Sequence, residues 1–240
     1  MSLACLERME VAGGSTSTLL DHLLIPVGAD LKMDVDLPDS PHRDHPPRFL
    51  DNLRNFASFT DIHICFEEHY TQIQFSGPNG RVEMLSGIPQ FDDTGPVLES
   101  LNKFDTSKVE RLRIDWGDSP PSDLSYRALL PMKHLRTLTL YCGKSPHIYV
   151  HALHPTMSSS RIVVCSKLEE LVILLAPWGT FDMKSVIGVA AARAEGGTKL
   201  KSIRIVGDWD KFGQTDVLEL EKHVLHVECG PEVGGARRRR

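Results

Sequence analysis

The sequence predicts an α/β fold: an irregular leucine-rich-repeat solenoid, with short parallel strands on a concave face and helices on the convex one. Three observations predict it. First, the phrase Leu135-Arg-Thr-Leu138-Thr-Leu140 recurs as Leu168–Ile173, Leu200–Ile205 and Val109–Ile114, with looser copies at Phe59–Ile64, Leu6–Val11, Leu31-Lys-Met33 and Leu225-His-Val227. Its last two apolar residues alternate with polar ones, which places them on one face of a short strand. Second, helix-compatible segments separate the later copies. Third, the final apolar residues fall at Val11, Met33, Ile64, Ile114, Leu140, Ile173, Ile205 and Val227, a recurrence of the kind that marks stacked repeats. The gaps are 22, 31, 50, 26, 33, 32 and 22 residues, so the repeats are uneven.

In chain order, Leu6–Val11 is a strand closed by Gly13-Gly14, and Ser15 or Ser17 can cap a helix carrying Leu19, Leu20, Leu23 and Leu24. Leu31–Leu37 alternates as a half-buried strand, residues 38–47 form a Pro-rich loop, and Arg48–Asn55 makes a helical turn or two. After Ile62-His-Ile64, two alternating runs, Tyr70–Phe75 and Arg81–Leu85, flank Gly77-Pro-Asn-Gly80. These predict an inserted β-hairpin turning at Asn-Gly. Together with a helix over Val97–Leu101, the hairpin accounts for the 50-residue gap. Beyond it, Asp123 can cap a helix with Leu124, Leu129 and Leu130. Thr180 or Asp182 can start another, which Gly196-Gly197 stops, and Asp216 a third. Domain boundaries follow: repeats over 1–229 and a basic, disordered tail over 230–240 ending in four arginines.

Composition bounds the function. The 240 residues are 41% hydrophobic and 25% charged, ordinary globular values, and the net charge of −5 argues against a nucleic-acid binder. No apolar run reaches the ~20 residues of a membrane helix, and the N-terminus lacks the pattern of a signal peptide. Five cysteines, at 5, 65, 142, 165 and 229, form no C-x-x-C pair, as expected of thiols in a reducing compartment, cytoplasm or nucleus.

Chemical motifs are sparse. There is no G-x-S-x-G, G-x-G-x-x-G or H-E-x-x-H. Gly143-Lys144-Ser145 lacks the glycine a phosphate loop needs at position 138, which is Leu138. His147, His151 and His154 could share a helical face as a metal site does, but prolines bracket the segment and no carboxylate or cysteine stands in local ligand spacing. No cofactor, metal or catalytic residue is assigned. The acidic pairs Asp115/Asp118 and Asp208/Asp210 fit turn residues that bond their own backbone, with a cation patch as the alternative.

Binding is expected on the concave sheet, where the residues between the core positions point outward. Arg111, Arg113, Asp115, Thr139, Tyr141, Val172 and Arg204 are the candidates for holding a protein client, a mixture of arginine, aromatic and aliphatic groups suited to an interface.

Several phrases carry a family resemblance: Phe75–Met84, Val109–Ile114, Ala128–Leu140 and Cys165–Ile173. In this wording and order the chain resembles the C-terminal leucine-rich-repeat-like region of F-box proteins from mushroom-forming (basidiomycete) fungi. The resemblance covers about Leu3 to Gly230. It implies a non-enzymatic substrate receptor of a cullin-RING ubiquitin ligase, whose repeats hold the client and whose F-box docks on the ligase adaptor. The F-box is missing here. Leu37-Pro38 only echoes its opening, so no adaptor contact can be carried over. Because a repeat strand begins at Leu6, the chain is expected to be the rear part of a longer product and to fray first at that strand. Two alternatives stand beside the receptor: a free-standing repeat scaffold unrelated to ubiquitin, and a metal-dependent enzyme using His147, His151 and His154. Neither nucleic acid nor membrane is an expected partner.

Overall fold

The computed structural model describes residues 8–11, 30–34, 59–66, 70–78, 80–87, 101, 106–116, 122–142, 147–155, 163–176, 181–207 and 213–231. The helices expected over 15–24, 48–55 and 97–100, the loop at 38–47, Asp118, Asp208, Asp210 and the arginine tail lie outside the described residues.

Ten strands form one open, mostly parallel sheet: β1 (Arg8–Val11), β2 (Asp30–Asp34), β3 (Asp61–Phe66), β4 (Tyr70–Gly77), β5 (Gly80–Gly87), β6 (Arg111–Trp116), β7 (Thr137–Cys142), β8 (Glu170–Leu175), β9 (Ser202–Val206) and β10 (His226–Gly230). Each of the eight sequence phrases supplies a strand. The spatial order is β1-β2-β5-β4-β3-β6-β7-β8-β9-β10. From β7 onward, each new strand lies beside the one before it.

The expected hairpin forms, Tyr70–Gly77 pairing with Gly80–Gly87, and it is part of the sheet. β3, β4 and β5 form an antiparallel meander, and β5 then pairs in parallel with β2. Two reversals restore the strand direction, so β4 alone runs against the rest. The meander therefore separates β2 from β3, which the repeat count had made neighbours. Gly77 pairs with Gly80, so the reversal lies between them, and Gly80 takes a φ of 124° that a side chain would resist.

Register makes the core continuous. Leu31, Val82, Phe75, Ile62, Leu112, Leu138, Leu171 and Ile203 stand opposite one another across eight strands, each at most 2% exposed. Two residues on, a second row runs through Met84, Ile73, Ile64, Ile114, Leu140, Ile173 and Ile205.

Among the described residues, four helices lie in the connections from β6 to β10: α1 (Ser122–Leu129), α2 (His147–Ala152), α3 (Met183–Glu195) and α4 (Gln214–Glu221). They pack on one another in chain order. Their buried residues, among them Leu129, Val150, Val189 and Leu220, join the cluster formed by the inward strand residues. Apart from Val206, the intervening residues of β6 to β10 with a described exposure stay partly or fully exposed, so the helices cover one face of this part of the sheet and leave the other open.

The helix ends follow local chemistry. Asp182 caps α3, accepting a hydrogen bond from Lys184 N at 3.1 Å, and Gly196 closes it with Gly197 at φ +75°. By contrast α4 starts at Gln214 behind Gly213, and Asp216 lies in its first turn instead of capping it. Asp123 similarly sits inside α1.

One buried cation ties α3 to the elements before it. Arg193 has no exposed surface and donates to the carbonyls of Val164 at 3.0 Å, Cys165 at 2.9 Å and Leu153 at 3.5 Å. Burial lowers its pKa. Cys165 itself sits at φ 49°, a region costly for a side chain, with burial pushing its thiol up to about 12.

Two stability outcomes follow. Leu138→Ala is expected to cost roughly 2–5 kcal/mol through the cavity it leaves, and Thr139→Ala to stay within about 0.5 kcal/mol. Urea melts that reversed the order would exchange the two faces. Arg193→Ala is expected to cost roughly 3–5 kcal/mol, since three buried carbonyls lose a charged donor and a cavity opens. A loss below about 1 kcal/mol would mean that Arg193 does not hold α3 in place.

Candidate recognition surface

The open face is built from strand residues whose side chains alternate with the core rows. Parallel register sorts them into three rows, with neighbours about 4.8 Å apart. The first row crosses Asp61, Arg111, Thr137, Glu170 and Ser202. The second crosses His63, Arg113, Thr139, Val172, Arg204 and Glu228. The third crosses Cys65, Asp115, Tyr141, Leu174 and Val206. All seven candidate residues of the sequence therefore share this face.

They do not share one state. Arg111 is tied to Asp61 of the neighbouring strand through both Nε and Nη2. Arg113 grips Asp115 with Nε at 2.7 Å and Nη2 at 2.9 Å. His63 Nε2 also lies 2.9 Å from Asp115 Oδ2. Because Asp115 can only accept in its charged form, Nε2 is the protonated nitrogen in this contact. Arg204 meets Glu228 at 3.4 Å, and Thr137 donates to Glu170 at 3.2 Å.

Asp115 thus lies within a strand as the shared acceptor of two donors from β3 and β6, and the expectation of a turn residue bonding its own backbone is corrected. Burial by itself would raise its carboxyl, but the hydrogen bonds from His63 and Arg113, with the charge of Arg113, hold it below the usual carboxylate range. Asp61 behaves alike: burial opposes, and bonds from Arg111 and Thr60 prevail. Behind Asp115, burial and that carboxylate together push the Cys142 thiol up to about 12.

Between Arg113 and Arg204 lies a less polar stretch of Thr139, Val172, Leu174 and Tyr141. Tyr141 is 40% exposed, an unusual position for a large aromatic on an open sheet. A second cluster flanks the face at β2 and β5. Lys32 and Arg81 both engage Glu83, at 3.1 and 3.0 Å, and Arg81 also donates to Gln74 at 2.8 Å. With Asp30 they line a hollow of about 260 Å³.

Sequence reasoning missed the His63–Asp115 contact, which joins residues 52 apart. The signal was available in the alignment of phrases, which sets His63 beside Arg113 and Cys65 beside Asp115. Of the three histidines, His147 begins α2 and His151 lies in its last turn, exposed, while His154 lies beyond its end, half-buried. Among the described residues no group of three His, Cys, Asp or Glu side chains is placed to hold a metal ion. No described helix is long and apolar enough to cross a membrane.

No family model, curated protein or solved structure matches the chain.

The charge arrangement gives a testable sign. Because the Asp115 carboxyl is depressed in the folded state, its contribution is fully present above about pH 3.9 and is lost as pH falls through the folded value. Asp115→Asn is expected to lower stability by about 1–3 kcal/mol at pH 7, with the difference from the parent shrinking below about pH 4. Melts at pH 7 and pH 3 check this. A difference that grew toward low pH would refute it.

Proposed function

We propose that the chain is a non-enzymatic recognition domain that holds a protein client on the open face of its sheet. The supporting observation is the pairing of a helix-covered face with an uncovered one, where Tyr141, Val172 and Leu174 lie between Arg113 and Arg204. Exposed aromatics and arginines dominate the energy of many interfaces. Charged groups at the margins of this stretch are mostly paired within the sheet, so a client that covers Tyr141 and Val172 need not strip bare charges from water.

The architecture belongs to the same reading. In-register phrases, sequential parallel strands from β6 to β10 and helices stacked in chain order support an irregular leucine-rich-repeat solenoid. In it the meander supplies one added repeat-direction strand, β5. The resemblance to the repeat region of F-box proteins supplies a context: a client-binding part of a ubiquitin-ligase substrate receptor, acting in the cytoplasm or nucleus. A free-standing scaffold is the second reading. It uses the same face and differs only in having no ligase partner.

Arg113 is a poor probe of binding, because Arg113→Glu sets a carboxylate against Asp115 and disturbs the fold. Tyr141→Ala and Arg204→Ala are cleaner, since both side chains stand on the exposed surface and neither change sets like charges against each other. Each is expected to weaken client capture roughly ten- to thirty-fold, about 1.4–2 kcal/mol, with little change in the melt. Affinity capture from the source cell on parent and variant columns, followed by mass spectrometry, reads this. Ligase subunits among the proteins lost together with the client favour the receptor over the scaffold. Equal capture on all columns would remove the client from this face.

A further inference from the structure

A second surface runs along the sheet edge where the strands begin. The residue before each strand accepts two backbone N–H donors from the next unit: Thr60 from Glu110 and Arg111, Glu110 from Arg136 and Thr137, Arg136 from Glu169 and Glu170, Glu169 from Lys201 and Ser202. Lys201 accepts from His226. These bonds place the turns before β6, β7, β8, β9 and β10 side by side in one register. The local backbone repeats as well: Val109, Leu135 and Leu168 donate to the carbonyls of Thr106, Met132 and Cys165, closing the same three-residue turn each time.

Two residues before Glu110, Arg136, Glu169, Lys201 and Leu225, which immediately precede β6 to β10, stand Lys108, His134, Lys167, Lys199 and His223. Lys167 Nζ lies 3.3 Å from His134 Nδ1, as adjacency in a row requires. At strand spacing the row is about 19 Å long. The residues immediately preceding the strands add Arg136 and Lys201, both well exposed, with Glu169 between them at 3.8 and 2.8 Å.

Residues 106–110, 130–136, 163–169, 196–201 and 222–225 carry seven Lys or Arg side chains and two carboxylates, Glu110 and Glu169, while Lys222 and His223 pair with Glu219 of α4. The whole protein carries −5, so positive charge is concentrated here against the overall balance. Attraction to helix C-termini does not account for the row. Lys108 ends a three-residue 3-10 turn, and Lys167 lies fifteen residues beyond the end of α2.

We propose that this edge binds an extended acidic peptide, its Asp and Glu carboxylates bridging successive turns. About six residues at ~3.3 Å each span the row. Among the side chains of these turns there is no Phe, Tyr or Trp on which bases would stack, and the net negative charge opposes a long polyanion, so a peptide fits better than single-stranded nucleic acid. The surface is separate from the open face, and a client there could be contacted at both.

The test uses the full chain and a fluorescein-labelled twelve-residue peptide of alternating Asp and Glu, followed by polarisation at 50 mM salt. A Ser/Asn peptide of equal length and a labelled dT12 oligonucleotide run alongside. The acidic peptide is expected to bind and the neutral one not to. Raising salt to 200 mM should weaken binding several-fold. Lys167→Glu with Lys199→Glu should weaken it at least ten-fold, whereas Tyr141→Ala should leave it unchanged, which separates this edge from the open face. If the double Glu variant melts early, Lys167→Gln with Lys199→Gln serves instead, with at least three-fold loss expected. Absence of binding, equal binding by the charge variants, or dT12 binding as tight as the peptide would each overturn the proposal.

Discussion

Everything in this fold depends on a repeated pair of backbone hydrogen bonds. At Thr60, Glu110, Arg136 and Glu169 a single carbonyl accepts from two consecutive N–H groups of the next unit, at 2.7 to 3.0 Å. That contact fixes where each strand begins relative to its neighbour. A strand has a side-chain period of two, so a slip of one residue would carry its whole apolar set to the solvent face. With the start fixed, Leu112, Leu138, Leu171 and Ile203 meet in one buried row, and the residues between them have no choice but the open face. Core, recognition surface and basic edge are three consequences of one register.

The helical layer needs a different device. The strands are uniform, but the connections between them are not, and nothing periodic tells α3 how to sit over the segment leading into β8. Arg193 does so by directing its guanidinium at three backbone carbonyls from two preceding segments. Removing a cation from water is costly unless its donors are used. Here the acceptors are three backbone carbonyls, one of which, Cys165 O, also accepts from Leu168 N at 2.9 Å. The same contact holds Cys165 in its positive-φ conformation. A buried arginine thus fixes the geometry where the repeat pattern is silent.

On the open face, most charges are spent on one another. Asp61 with Arg111, Asp115 with Arg113 and His63, Glu83 with Lys32 and Arg81 each join adjacent strands or adjacent positions. Pairs this exposed add little stability individually. Their consequence is geometric: they hold side chains flat against the sheet and leave Tyr141 and its aliphatic neighbours as the accessible stretch. At the strand-start edge the turns repeat the same charge unit after unit, so the charges add up in a line.

The sequence by itself determined the strand phrases, their inward and outward alternation, the hairpin runs and the glycine stop of α3. Each is local: an apolar residue at every second position, or a glycine where φ turns positive, is visible within a few residues. Membership of the open face was legible for the same reason, and all seven candidate residues lie on it. Only the tertiary structure decided the rest. The meander entered the sheet between β2 and β3 because β5 had an edge to pair with and ran in the right direction, a choice made by contacts about fifty residues apart. Asp115 became the shared acceptor of His63 and Arg113 because strand pairing brought β3 against β6. Arg193 became a buried tie because α3 packs over carbonyls that no period predicts. Periodicity encodes which side of a strand is apolar; which strands meet, and which polar groups are thereby buried together, depends on long-range packing that one residue's neighbours in sequence do not carry.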